Sequence, residues 1–403
     1  MAKSYLPSLI IAFSNLIVLS VLHGFQLITQ TPISYINKWI MPGVDYRDFY
    51  QGSLQILAGG SPYQVERFVT PPLFALFNLP LALLPFQAAR AIFIFLIPFS
   101  VLAAGLLVFR ALKEKRNEEN DQFVLGCILV IGFSYPVYFL FERGNIDGVV
   151  LLLMCLTIFP LTDRPWLSGL FLALAIHLKL YPVLLLIPLV VFRRWKPVLW
   201  ALAWLLILAL LAAPYWTEFA LMLSRRSNSF QLFENGSLVN TFLFLGRLFS
   251  HFIGGGNLVW EYAPLYASIV FGIFLSFILV TDYKLHSSLS TRQQIAHALL
   301  YFPFMVALPK SVYHYEFVVL IALLPVLDFF WRRSTSQAEY MTLVMMAVGL
   351  SLSQWQAVAL YILTENIAAY YIPGFGLLLL MTGITAFKFI QLRQTGQKKI
   401  IVS

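Results

Sequence analysis

Four polar islands interrupt an otherwise apolar chain, and their residue types suggest group transfer. In Asp45-Tyr-Arg-Asp48-Phe-Tyr-Gln-Gly the two carboxylates stand three apart, which puts them on roughly the same side of a helix. Beside Tyr46, Phe49 and Tyr50, a partly desolvated carboxylate becomes a useful general base. The competing role for either aspartate is to cap free amides at the helix N-terminus. The second island is Phe141-Glu142-Arg143-Gly144-Asn145-Ile146-Asp147, in which Arg143 and Asn145 are of the types that grip phosphate or sugar hydroxyls. Plain loop solvation is the alternative there, with Asp147 pairing with Arg143. Lys179 falls inside the apolar stretch 165–192, where an ammonium is costly and faces an anion or a cavity unless it snorkels to the surface. His177 beside it reads as a core histidine. In Lys310-Ser-Val-Tyr-His314-Tyr-Glu316, Lys310 and His314 together could bind an anionic group. The islands thus supply one candidate base, either Asp45 or Asp48, and several cations, which is what transfer from a phosphate leaving group needs.

Other signals exclude more than they propose. Gly254-Gly255-Gly256 lacks the strand–helix context of a phosphate loop and reads as a flexible turn. Asn235-Gly236-Ser237 matches a glycosylation sequon, a triplet common by chance, and Arg225-Arg226 suits lipid headgroups or an anionic substrate. Cys127 and Cys155 both lie in apolar runs, so redox and zinc chemistry drop out. With no ligand cluster and no nucleotide-binding motif, neither a metal nor a cofactor is expected.

The elements that must carry these islands are membrane helices. Of the 403 residues 60% are apolar and 11% charged, with mean hydropathy +0.81, whereas a soluble domain is about a quarter charged. The net charge of +9 forms no basic face for nucleic acid, because the cations punctuate the gaps between apolar runs. Residues 6–27 read as a retained anchor, with a cleavable signal peptide as the alternative, followed by spans at 88–112, 122–141, 145–161, 197–214, 262–281, 294–309, 315–331, 340–360 and 368–390. The stretch 165–192 reads as two short helices meeting at Lys179-Leu-Tyr-Pro182, a break that implies an internal cavity. About twelve crossings result. With Lys3 cytoplasmic, most Lys and Arg, including Arg110, Arg193, Arg194, Lys284, Arg332, Arg333 and Lys388, also fall on the cytoplasmic side, as do both termini. All four islands then share the extracytoplasmic face.

The whole chain, 1–403, therefore reads as one transmembrane domain of all-α polytopic class. Residues 29–87 form a first extracytoplasmic loop, with an amphipathic helix over Tyr46, Phe49, Tyr50, Leu54 and Leu57 lying on the membrane surface and a half-inserted helix over 71–85. Residues 215–261 form a second large loop.

The stretches Asp45-Tyr-Arg-Asp-Phe-Tyr-Gln-Gly…Leu57-Ala-Gly-Gly-Ser-Pro-Tyr63 and Thr70-Pro-Pro-Leu…Leu79-Pro-Leu-Ala-Leu-Leu-Pro85 resemble the opening signature of glycosyltransferase family 87. Arg143-Gly-Asn-Ile-Asp147, Ser168 through Lys179-Leu-Tyr-Pro182, and Ser311-Val-Tyr-His314-Tyr follow in the family's order. The resemblance implies a GT-C membrane fold and a polyprenyl-phosphate sugar donor, typically carrying mannose. It also implies that Asp45 is the general base and that His314 lies near the donor phosphate. Asn145 stands where many relatives have Gln, a departure that bears on the donor sugar. An inverting transfer needs one base and no second carboxylic acid, because the lipid phosphate is already a good leaving group. Its growing charge would be met by Arg143, Lys179, Lys310 and His314, while Asp48 and Asn145 contact substrate. The expected partners are the donor, a lipid or glycan acceptor and membrane lipids of the plasma membrane, without nucleic acid. A transporter or flippase of lipid-linked sugars is the alternative, but it predicts midplane polar residues and paired broken helices. A purely scaffolding protein would leave Asp45, Lys179 and His314 without a shared purpose.

Overall fold

The computed structural model of the protein describes residues 43–112, 134–158, 163–227, 237–253, 262–307, 314–354 and 372–402, and every regular element among them is helical. The expected anchor at 6–27, most of the expected span at 122–141, Cys127, Asn235-Gly236, Gly254–Gly256 and Lys310 lie outside the described residues, as do the side chains of Arg226 and His314.

The first helix, α1 (Val44–Leu57), carries Tyr46 and Phe49 on one face, and both are buried. These two are covered by protein, while Leu54 and Leu57 of the same expected apolar face are 38% and 47% exposed. Tyr46 stacks on Phe93 at 4.4 Å and Phe49 meets Phe74 edge-on at 4.7 Å, so aromatic partners from two later helices replace the lipid. The expected half-inserted helix is two pieces, α2 (Pro72–Phe77) and a single turn at Leu79–Ala82. At their junction Asn78 donates to the Ser53 hydroxyl at 3.0 Å, and Ser53 in turn donates to Ala75 carbonyl at 3.0 Å, clasping this segment onto α1.

The span α3 (Phe86–Leu112) follows. Ala89, Phe93, Ile97, Val101, Ala104 and Val108 recur every three or four residues and are buried, while Phe95 and Phe99 on the opposite face are 75% and 61% exposed. An apolar face left bare to this degree belongs against lipid. Next come α4 (Tyr135–Arg143), α5 (Asp147–Ile158) and α6 (Pro165–Leu178). The expected break is present. Lys179 is extended (φ −147°, ψ 144°), and a 3-10 segment over Tyr181–Leu185 leads into a short helix at Leu186–Val191. The chain thereby returns to the level of Arg164 before α7 (Trp195–Leu211) rises beside α6 in the same direction. A Cβ on Gly169 would touch Ala201, and His177 Nε2 lies 3.2 Å from Leu205 carbonyl. At Ala212 the path bends by 74° into α8 (Trp216–Ser227).

The later chain comprises α9 (Leu238–Ile253), α10 (Ala263–Leu285), α11 (Thr291–Leu299), α12 (Leu323–Trp331), α13 (Gln337–Ser353) and α14 (Ile372–Val402). Three helices among the described residues, within α3, α10 and α14, are each long and apolar enough to cross a membrane; the α7–α8 pair, bent by 74°, passes the same test only if its two parts are counted as one span. Two expected continuous spans are broken instead. Of the 145–161 span, Asp147–Ile158 is helical, and 159–161 lie outside the described residues. The 294–309 span splits between Leu299 and Phe302, because Pro303 has no amide to continue the ladder. The 315–331 span begins as a 3-10 helix over His314–Ala322 before α12. That last segment is apolar on all sides and sits at the centre of the bundle, with Phe317 to Leu324 all at most 1% exposed.

Lys388, one of the cations that the sequence places on the cytoplasmic side, is not a solvated loop charge. It is fully buried, donating to Asp282 at 2.5 Å, with His297 Nδ1 at 2.7 Å and the Tyr301 hydroxyl at 3.1 Å from the same carboxylate. This trio pins α14 to α10 and α11. At the same end Arg194 donates to Gln294 at 2.8 Å.

Candidate active site

The opposite end, where α1 and α4 begin and end and α6 breaks, gathers the first three polar islands. Gly43 precedes α1 with φ +88°, and Gly144 follows α4 with φ +64°, a left-handed conformation that a glycine adopts without strain. The two loops are nearly in contact, since a Cβ on Gly144 would lie 2.7 Å from Gly43 Cα. That proximity brings the first turn of α1 to the last turn of α4. Asp45 Oδ1 accepts from Arg143 Nη2 at 2.6 Å, and its Oδ2 accepts from Asn145 Nδ2 at 2.7 Å. The N-terminus of α1 has no side-chain cap, so the capping role open to the aspartates in the sequence is not the one they take.

Asp45 is therefore oriented by two donors, one on each oxygen. Each carboxylate oxygen keeps a further lone pair for a substrate hydroxyl. Asp48, one turn on, is 8% exposed with Arg47 at 3.8 Å, and it senses the charges of Asp45 and Arg143. Burial raises its carboxyl above the ordinary carboxylate range, an effect that Arg47 opposes.

Asp147 does not serve Arg143. Its fully buried carboxylate lies 3.3 Å from Lys179 Nζ and accepts from the Tyr181 hydroxyl at 2.8 Å. Lys179 consequently does not snorkel away. It stays 20% exposed at the end of α6, within electrostatic range of Asp45 and Glu316 as well. Asp147 and Tyr181 are the residues that sequence reasoning undervalued. The signal was present in the extended break itself, which presents Lys179 and Tyr181 together, but nothing in the chain's linear order paired them with Asp147. Glu316 belongs to the 3-10 segment that packs against α4 and α5, and His314 opens that segment. His177, beside Trp216, keeps the core role expected of it. Among the described residues no group of three His, Cys, Asp or Glu side chains is placed to hold a metal.

The second loop folds over the same end. Ser61 donates a short hydrogen bond to Glu218 of α8, and Tyr63 packs near Phe219 at 5.9 Å. The arrangement is an oriented carboxylate beside a guanidinium, an amide and an ammonium, at the mouth of an apolar helical bundle.

Fold and site together define a helical membrane protein with Asp45, Arg143, Asn145 and Lys179 gathered at one end of the bundle. The family model of glycosyltransferase family 87 matches residues 68–309, more than half of the chain, and the protein belongs to that family. The match begins after α1 and ends before His314, so Asp45 and His314 lie outside it. The chain is also similar to the GPI alpha-1,4-mannosyltransferase I catalytic subunit of Danio rerio, 31% identical over 146 residues, which is 36% of each chain. It resembles GPI mannosyltransferase 1 of Kluyveromyces lactis, 28% identical over 36% of this chain and 35% of the relative. The same-named protein of Saccharomyces cerevisiae is 26% identical over 37% and 36%. The matched region thus spans about a third of the length of these relatives.

Proposed function

We propose that the protein is an inverting glycosyltransferase that moves a hexose, with mannose favoured by the named relatives, from a polyprenyl-phosphate carrier to an extracytoplasmic acceptor. The observation that carries this reading is the Asp45 carboxylate, fixed by Arg143 at 2.6 Å and Asn145 at 2.7 Å in electrostatic range of Lys179. In this mechanism Asp45 takes the proton of the acceptor hydroxyl as its oxygen attacks the anomeric carbon from the face opposite the phosphate. The bond from that carbon to the phosphate oxygen breaks, and the lipid phosphate departs with the bonding pair. Lys179, Arg143, Lys310 and His314 are the proposed donors to its growing charge. Asp147 and Tyr181 hold Lys179 in place for that contact, acting through it rather than on the substrate.

A lipid-linked donor gives a physical reason for a sugar enzyme to be membrane-embedded, since the polyprenyl tail can lie along the exposed apolar faces of helices such as α3 while the sugar reaches the polar end. We place that end on the extracytoplasmic side of the plasma membrane, with the arginine-bearing end around Arg194 cytoplasmic, in line with positive-inside bias.

The test is incubation of purified protein with radiolabelled polyprenyl-phosphate mannose and candidate glycolipid acceptors. Appearance of a labelled glycolipid, with inverted configuration at the new linkage by NMR, is the expected result. Labelled product from a nucleotide sugar alone, or retention of configuration, would refute the reading.

A further inference from the structure

At Asp48, one helical turn from Asp45, lies a groove that the catalytic reading does not use. One wall is the solvent side of α1, where Asp48, Gln51 and Gln55 follow one another at helical spacing. The other is the strip after the Pro62–Gln64 turn, which presents Gln64, Glu66 and Arg67. The groove is open to the surface and offers about 520 Å³, within the roughly 300–1,000 Å³ of small-ligand sites. Leu54 and Val65 contribute apolar patches between the polar groups.

The chemistry of this lining is selective. Three side-chain amides each offer both a donor and an acceptor, two carboxylates accept, and one guanidinium donates. A phosphate entering here would meet Asp48 and Glu66, and a bare cation would meet Arg67. An acyl chain would strand the polar walls without partners. A neutral ligand rich in vicinal hydroxyls satisfies donors and acceptors alike, and apolar patches suit the C–H faces of a sugar ring. Asp48 closes the groove one helical turn from Asp45, and Asp48 is the buried polar group of the set.

We propose that this groove is the acceptor subsite and that it takes a neutral glycan head, with Asp48 accepting from a hydroxyl beside the one that Asp45 deprotonates. The role given to Asp45 in this inference rests on the transferase reading above, but glycan binding in the groove can be measured without turnover. The probe is α-1,2-mannobiose, observed by saturation-transfer NMR with the full chain in lipid nanodiscs free of glycoside detergent. Saturation should pass to the disaccharide, persist in Asp45→Asn, and weaken about tenfold in Gln51→Ala/Gln55→Ala, as expected for the loss of one or two hydrogen bonds. Gln51 is exposed and Gln55 half-buried on the groove side of α1, so the double variant should fold, which thermal unfolding checks. No transfer to mannobiose in the wild type, or an undiminished signal in the double variant, overturns the subsite. Displacement of the signal by inorganic phosphate would also overturn it, marking an anion site instead. If mannobiose binds as expected but the wild type never consumes polyprenyl-phosphate mannose, the transferase reading falls and the glycan groove stands.

Discussion

The Asp45 carboxylate meets the Arg143 guanidinium at 2.6 Å because the backbones at Gly43 and Gly144 approach too closely to admit a side chain between them. Gly144→Ala should therefore act on the site without touching it. Alanine at φ +64° costs about 1–2 kcal/mol, and its Cβ would force Gly43 aside. A displacement near 1 Å is enough to lower transfer about 10²-fold. Transfer at the wild-type rate in a folded Gly144→Ala protein would show that the approach of the two loops is not what places Asp45.

Asp45→Asn keeps the shape of the side chain and removes the base. Loss of about 10²–10⁴-fold in kcat is expected, with unchanged gel-filtration behaviour in detergent. Normal turnover would refute the base assignment and move attention to Asp48.

Lys179 and Asp147 make a pair in which one partner is fully buried. Lys179→Met should lower stability by about 3–5 kcal/mol, because it leaves the Asp147 charge uncompensated. Asp147→Asn/Lys179→Met should regain most of that stability yet remain deficient in transfer, with the defect in donor KM if the ammonium contacts the donor phosphate. Full activity in the stable double variant would make the pair purely structural. Thermal unfolding and steady-state kinetics separate these outcomes.

The Asp282–His297–Lys388 trio tests the converse case, a buried charge cluster remote from the site. Lys388→Met should reduce the unfolding temperature markedly, on the order of 3–5 kcal/mol of stability, and Asp282→Asn/Lys388→Met should restore part of it. Transfer per folded molecule should not change. A selective kinetic defect would assign the trio to function instead.

Burial raises the Asp48 carboxyl, so the folded protein holds that proton more tightly than the unfolded chain does. Its contribution to stability is complete below the unfolded-state value near 3.9 and is lost as pH rises through the higher folded value. The unfolding temperature of Asp48→Asn relative to wild type should accordingly increase as pH rises above about 4. A difference that stays flat or reverses would show that Arg47 and its neighbours outweigh burial at this position.

Composition, the long apolar helices near 88–112, 262–281 and 368–390 and the chemical types at Asp45, Arg143, Asn145 and Lys179 could all be read along the chain. Those signals depend on local properties: hydropathy, the missing amide of proline and the intrinsic chemistry of each side chain. Likewise the break after Leu178 was visible in Lys179 and Pro182. Tertiary structure alone decided who pairs with whom. Asp147 turned to Lys179 and Tyr181 rather than to Arg143 four residues away, because α5 and the end of α6 lie side by side while Arg143 faces α1. Lys388 went inward although its neighbours in the chain suggested the membrane border, since Asp282 and His297 wait at that depth on other helices. Tyr46 and Phe49 of α1 meet Phe93 and Phe74 for the same reason. Hydropathy measures how much a residue gains by leaving water, but it does not say which surface receives it.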